Sequence, residues 1–86
     1  MSNRPVKHSL TLKGHRTSVS LEAEFWTEFR NAARAQNMTL NELASVIDEE
    51  RNDVGLASAI RVWILNRLKS ELSNRTLVTS SKKLDS

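Results

Sequence analysis

The first third of the chain alternates apolar and polar residues with a period of two. From Val6 onward every second residue is apolar or His, the polar positions between them hold Lys, Ser and Thr, and Gly14 ends this run. A second run, from Arg16 to Leu21, places Thr, Val and Leu opposite Arg and two Ser. This alternation predicts extended structure over Val6 to Leu21, with one buried face and one face toward solvent or a ligand.

After Glu22 the period changes to that of an α-helix. Apolar residues recur at the spacing of one helical stripe from Phe25 to Ala33, and the helix is expected to end near residues 36–38. The next helix opens with Thr39, and Glu42 follows three residues later. This spacing predicts a capping box, in which each side chain bonds the backbone N–H of the other residue.

The second helical stretch is expected to break within Glu49 to Gly55, which is rich in turn-forming residues. A third stretch, from about Leu56 to Leu72, carries apolar residues around more than a narrow stripe. We therefore expect this helix to contact partners on two sides, one of them a second copy of the chain. The predicted domain covers residues 6–72, between a disordered lead, residues 1–5, and a polar, disordered tail, residues 73–86.

Composition limits how so short a chain can be stabilised. The 86 residues allow one small domain and include no Cys, and His8 and His15 are the only histidines. Disulfides are excluded, two histidines are too few for a structural zinc site, and oligomerisation is the remaining source of stability. We expect no metal and no cofactor. The N-terminus has no apolar core of a signal peptide, which predicts a soluble cytoplasmic protein without membrane association.

Charge is distributed unevenly along the chain. Residues 1–21 hold four basic residues and no acid, residues 22–53 hold eight acids and three bases, and residues 54–86 are again basic. The basic N-terminal segment is expected either to meet a polyanion or to be a solvated tail. Asp48, Glu49 and Glu50 have no accompanying nucleophile or base, so we interpret them as a solvated acidic turn and expect no enzyme activity.

The order of these elements resembles the ribbon-helix-helix superfamily of the Arc and MetJ repressor type. The segment Gly14 to Glu22 (GHRTSVSLE), the pair Phe25-Trp26, the two helices and the late block Ala59 to Val62 (AIRV) carry the resemblance. It is closest to a subfamily of short, mostly uncharacterised bacterial proteins, and it covers roughly residues 7–69.

The resemblance implies a mainly α protein with an N-terminal β-ribbon, assembled as an intertwined homodimer. One strand from each subunit would pair antiparallel and enter the major groove of double-stranded DNA. Arg16 would bond a guanine, and Ser18 and Ser20 would make further base contacts. The helix N-terminus at Thr39, Leu40 and Asn41 would anchor a phosphate. The implied dimer core consists of Val19, Leu21, Trp26, Leu43, Ile60, Trp63 and Ile64.

Two features depart from the compact repressor pattern. The strand from Lys7 to Lys13 is additional; it could form a hairpin with the second run, extend the ribbon, or replace it as the element that faces DNA. Further DNA contacts are then expected from Lys7, Ser9, Thr11, Lys13 and His15. The other departure is the insert at residues 49–55. As an alternative to the solvated acidic turn, Asp48 could pair with Arg61 across the junction between the helices.

A second class of function stays open beside DNA-dependent transcription regulation. In this alternative the chain is an antitoxin or adaptor whose helical dimer is structural and whose tail, Ser73 to Ser86, folds onto another protein. The tail offers only Leu77, Val78 and Leu84 as apolar residues.

Overall fold

A computed structural model describes residues 4–51 and 53–85, with side chains for residues 4–51 and 53–74. Two strands precede three helices: β1 (Val6–Leu12), β2 (His15–Leu21), α1 (Ala23–Ala35), α2 (Leu40–Glu50) and α3 (Leu56–Asp85). This order confirms the predicted class, a mainly α ribbon-helix-helix arrangement with an extra strand and a broken second helix.

The two strands form one antiparallel hairpin. Its register runs from Val6 opposite Leu21 to Leu12 opposite His15, and the two loop residues, Lys13 and Gly14, have φ angles of 51° and 82°. Two positive φ angles in a two-residue loop match the type I′ turn, whose twist suits a hairpin. Of the three arrangements left open for the first strand, the structure therefore has the hairpin.

The hydrophobic core lies between the inner face of this hairpin and the three helices. Of the alternating apolar residues of the strands, Leu10, Leu12, Val19 and Leu21 are buried there, whereas Val6 is exposed. Leu21, Phe29 and Ile60 are completely inaccessible to solvent. The helices add the remaining core side chains, namely Trp26, Ala32, Ala33, Leu43, Ala44, Ile47 and Ile64.

Most of the residues expected in a dimer core are buried inside a single chain. Six of the seven are at most 3% exposed, and Trp63 is half-buried. Packing within one chain accounts for the burial of these six, so a partner subunit is not needed to remove them from water. Their place at a dimer interface stays a prediction.

The boundaries of α2 follow the sequence signals. The Thr39 hydroxyl accepts a hydrogen bond from the Glu42 N–H at 3.1 Å, and the Glu42 carboxylate accepts one from the Thr39 N–H at 2.8 Å. These two bonds confirm the capping box. The predicted break is also confirmed, since α2 ends at Glu50 and α3 begins at Leu56; within it, position 52 lies outside the described residues.

Helix α3 continues well beyond its expected end. Its backbone is helical to Asp85, because no Gly or Pro interrupts the segment after Leu56. The predicted end near Leu72 is thus wrong for the helix. The domain limits stay predictions, because residues 1–3 and the side chains from position 75 onward lie outside the described part.

Arg61 does not pair with Asp48, so the alternative in which these two residues bond each other is wrong. Its guanidinium bonds the Glu22 carboxylate at 3.0 Å, whereas Asp48 pairs with Arg51, three residues further along the chain. The Asp48–Arg51 pair is local, because Asp48 lies about one helical turn before Arg51. The Arg61–Glu22 pair joins α3 to the residue that directly follows β2, 39 residues away in the chain.

Candidate nucleic-acid interface

One face of the hairpin carries only polar side chains. Three cross-strand pairs form it: Lys7 opposite Ser20, Ser9 opposite Ser18, and Thr11 opposite Arg16. We call these six residues the outer face. They combine the second-strand residues predicted to contact bases with three of the residues proposed as alternatives, because the hairpin register brings both sets to the same side.

The outer face is exposed because the opposite face is fixed in the core. Leu10, Leu12, Val19 and Leu21 are at most 8% exposed, and strand alternation then directs the intervening residues away from the protein. Five of the six outer-face side chains are exposed and Ser20 is half-buried. The result is a two-stranded ribbon with two basic and four hydroxyl side chains, a width that the major groove of B-DNA admits.

Side chains from the helices hold both edges of the ribbon. On the β1 edge, the Thr11 N–H donates to the Asn41 side-chain oxygen at 3.1 Å. On the β2 edge, the Ser20 carbonyl accepts a hydrogen bond from Arg61 at 3.2 Å. These bonds fix the position of the outer face relative to α2 and α3.

The Arg61 contact is part of a small charged cluster. The guanidinium bonds both Glu22 carboxylate oxygens, at 3.0 and 3.4 Å, and lies 6.0 Å from the centre of the Phe25 ring. The pKa of Glu22 lies below its ordinary value, because its own backbone N–H and then Arg61 bond the ionised carboxylate. Arg61 is thereby held by β2, by α1 and by Glu22, which lies between them.

Two of the predicted DNA contacts are not part of the outer face. Lys13 lies in the turn, where its ammonium pairs with Glu49 at 2.9 Å, a contact that raises the pKa of Lys13. His15 is opposite Leu12 and so belongs to the inner side of the hairpin, at its exposed tip. The structure brings the other six expected residues of the two strands together, but not these two.

The predicted phosphate anchor lies beside the ribbon. The Asn41–Thr11 bond places the N-terminus of α2 next to the β1 edge, and Thr39 caps it. Within the described part of the chain, no acceptor bonds the N–H groups of Leu40 and Asn41, which suits an anion at a positive helix end. The Glu42 carboxylate at the same end opposes such an anion electrostatically.

The sequence did not predict that the Asn41 side chain bonds the β1 edge or that Arg61 bonds the β2 edge. In the sequence, Arg61 stands between the apolar residues Ile60 and Val62, which indicates a polar partner but does not identify it. Among the described residues, no cluster of three His, Asp or Glu could hold a metal ion. In the same part of the chain, every helix is too short or too polar to cross a bilayer.

The chain was compared with known protein families, curated proteins and solved structures. A family model described as a ribbon-helix-helix domain matches residues 5–68, which is more than half of the chain and includes both strands, α1, α2 and the first turns of α3. No match was found among curated proteins or among solved structures.

Proposed function

The chain belongs to the ribbon-helix-helix domain family, and on that premise we propose that it is a transcription regulator that binds specific DNA sequences through the outer face of its hairpin. The family itself indicates a DNA-binding transcription regulator or an antitoxin. Insertion of the hairpin into the major groove and recognition of particular bases are the further content of the proposal.

One observation carries this proposal: the hairpin register aligns six polar side chains on one exposed face. Arg16 offers the two parallel N–H donors that match O6 and N7 of guanine. Ser18 and Ser20 supply short donors or acceptors to neighbouring bases, and Lys7 extends the positive charge toward a phosphate. The free amides of Leu40 and Asn41 would bind a further phosphate and set the register along the duplex.

The proposal is tested by titrating the protein with its own upstream DNA and with a scrambled duplex at two salt concentrations. Arg16→Ala should reduce the preference for the specific duplex by about 1–3 kcal/mol if Arg16 bonds a base. Arg34→Ala, on the exposed last turn of α1, removes the same charge away from the outer face and should leave the preference unchanged.

The outcomes are separable. If Arg16→Ala keeps the wild-type preference for the specific duplex, Arg16 does not contact a base. If the wild-type protein binds both duplexes equally and salt weakens this binding, the outer face binds DNA through its positive charge alone. Absence of DNA binding by the wild-type protein would refute the proposed function.

A second candidate function has one favourable observation. Helix α3 exposes Val62, Leu65, Leu68 and Leu72, which are 40–63% accessible and suit contact with another protein surface. An antitoxin or adaptor would use such a surface. The predicted route through the tail gains no support, because the side chains of Leu77, Val78 and Leu84 lie outside the described residues. Truncation after Ser73 should preserve DNA binding and abolish binding of a partner through the tail.

The assembly and location of the protein are also proposals. The exposed apolar side of α3 is the surface on which a homodimer would form, with each copy presenting its own outer face. We further propose that the protein is cytoplasmic, is associated with the nucleoid when bound to DNA, and acts without a cofactor or catalytic activity.

A further inference from the structure

We propose that Asn41 is a positioning residue for base recognition: its side chain holds the part of β1 that lies opposite Arg16, and thereby sets the sequence preference of the outer face. The inference rests on the proposed function and deepens it. It gives the Asn41 side chain a role that is separate from the phosphate contact proposed for its backbone N–H. Asn41 touches no base in this arrangement and acts through the hairpin.

The position of Arg16 depends on the backbone of the hairpin. Its side chain is exposed, and within the described part of the chain its guanidinium makes no hydrogen bond or ion pair. The guanidinium is therefore available to a base, but no neighbouring side chain directs it. Guanine accepts two parallel N–H groups in a fixed geometry, so a shift of the strand impairs this contact more than a simple contact with a phosphate.

The cross-strand pair that contains Arg16 has no hydrogen bonds between its own two residues. Leu12 and His15 flank the two-residue loop and form a hydrogen-bonded pair, and the two kinds of pair alternate along an antiparallel hairpin. Thr11 and Arg16, the next pair, are therefore not hydrogen-bonded to each other. The Thr11 N–H points away from β2 and donates to the Asn41 side-chain oxygen at 3.1 Å. At this pair, α2 supplies the bond that the second strand does not.

The bond from Asn41 adds what apolar packing cannot supply at Thr11. Leu10 and Leu12, the neighbours of Thr11 in β1, are 3% and 8% exposed and fix how deeply the strand lies on the core. Apolar burial is non-directional and tolerates sliding of the strand along the helix. A hydrogen bond depends on distance and angle, so it fixes Thr11 against the first turn of α2.

A salt bridge at the turn is a weaker restraint between the hairpin and α2. The Lys13 ammonium lies 2.9 Å from the Glu49 carboxylate, but both side chains are more than half exposed. Salt screens such a pair, and exposed pairs contribute little to stability. The Asn41 bond involves no net charge. We therefore expect it to persist at the salt concentrations at which the two duplexes are compared.

The ratio of the affinities for the specific and the scrambled duplex tests the inference. Asn41→Ala should lower this ratio by about three- to tenfold, the effect of one lost hydrogen bond, with a smaller change in binding to scrambled DNA. The loss should not exceed that of Arg16→Ala, because positioning cannot contribute more than the contact that it serves. Asn31→Ala makes the same substitution at an exposed position of α1 and should leave the ratio unchanged.

Two further variants separate positioning from a general structural role. Asn41→Asp keeps a side-chain oxygen for the Thr11 N–H but adds a negative charge near DNA. It should weaken binding to both duplexes alike and keep the ratio within about twofold of wild type. In an Arg16→Ala background, Asn41→Ala should change the ratio by less than about twofold, because the side chain that Asn41 positions is gone.

Hydrogen exchange of the Thr11 amide checks the bond without DNA. Exchange should be faster in Asn41→Ala than in wild type and unchanged in Asn31→Ala, because only the first substitution removes the acceptor. Equal Thr11 exchange in wild type and Asn41→Ala would show that this bond does not hold the strand, and the inference would be wrong. This measurement also shows whether each variant is folded.

Three binding results would overturn the inference while leaving the proposed function intact. The first is a wild-type ratio in Asn41→Ala. The second is an equal loss of both affinities in Asn41→Ala, which would make its side chain a phosphate ligand. The third is a loss of the ratio in Asn41→Asp as large as that in Asn41→Ala. If the wild-type protein shows no preference between the duplexes, the proposed function fails and the inference fails with it.

Discussion

The hairpin and helix α3 leave different kinds of surface exposed. On the hairpin, the apolar residues other than Val6 are buried and the outer face carries Lys, Arg, Ser and Thr. On α3, Ile60 and Ile64 are buried, but Leu65 and Leu72 are more than half exposed. The first surface is well solvated and suits a polar ligand. The second exposes apolar side chains to water, which is unfavourable until another apolar surface covers them.

The largest expected difference between the two regions concerns their leucines. Leu21→Ala should lower the free energy of unfolding by about 2–5 kcal/mol, because Leu21 is completely buried and the substitution leaves a cavity. Leu65→Ala removes the same atoms from a side chain that is 53% exposed, so a loss of under about 0.5 kcal/mol is expected for an isolated chain. Urea unfolding of both variants measures the difference.

The Leu65→Ala result also reports on assembly. If its loss of stability grows with protein concentration, a second copy covers α3, because dissociation then contributes to unfolding. If Leu65→Ala lowered the free energy of unfolding as much as Leu21→Ala at every protein concentration, the contrast between a buried hairpin face and an uncovered face of α3 would be wrong.

The second prediction concerns the residue that joins the two regions. Arg61→Ala should lower the unfolding free energy by about 1.5 kcal/mol, since Arg61 bonds the Ser20 carbonyl and Glu22 while remaining partly exposed. Arg67→Ala breaks a bridge to Glu71 within α3 and should cost only about 0.3–0.5 kcal/mol. Thermal melts of both proteins compare these effects, and equal losses would show that Arg61 does not anchor the ribbon.

The third prediction compares the same substitution at the turn and at the start of α3. Gly14→Ser should destabilise by about 1 kcal/mol: the added Cβ meets nothing within 4 Å, but the φ of 82° is unfavourable for a residue with a side chain. Gly55→Ser should be neutral or slightly stabilising, because the Gly55 carbonyl accepts the N–H of Ala59 and Ser is a preferred residue at a helix N-cap. Urea unfolding of both variants measures these changes. An unchanged free energy of unfolding in Gly14→Ser would contradict the inference that the conformation of the turn stabilises the hairpin.

Local signals in the sequence predicted much of this structure. The period-two pattern identified Leu10, Leu12 and Leu21 as inward-facing, and the Thr39–Glu42 spacing identified the start of α2, because each depends on residues within one turn or strand. The order of the strands and helices also followed from these patterns, and the resemblance added the fold family.

The contacts between distant elements were beyond these signals. Asn41 and Thr11 are 30 residues apart and Arg61 and Glu22 are 39 apart, and periodicity does not specify which polar groups meet at such separations. The pairing of Arg61 with Asp48 was therefore wrong, although both charges were visible. The expected DNA contacts of the outer face stay predictions, since they depend on a ligand rather than on the fold.

The smallest expected effect concerns the pH dependence of the contact between the hairpin and α3. The pKa of Glu22 in the folded chain lies below its ordinary value of 4.5, first through its own backbone N–H and then through Arg61, so the ionised carboxylate favours folding. This contribution is complete above pH 4.5 and disappears as the pH falls through the lowered pKa of Glu22.

Glu22→Gln keeps an oxygen for Arg61 but does not titrate, so its melting temperature should fall less than that of the wild type between about pH 7 and about pH 3. Glu24→Gln, in the same helical turn, should retain the acid sensitivity of the wild type, because Arg61 bonds Glu22 rather than Glu24. Parallel acid curves for wild type and Glu22→Gln would show that this charged contact does not link the ribbon to α3.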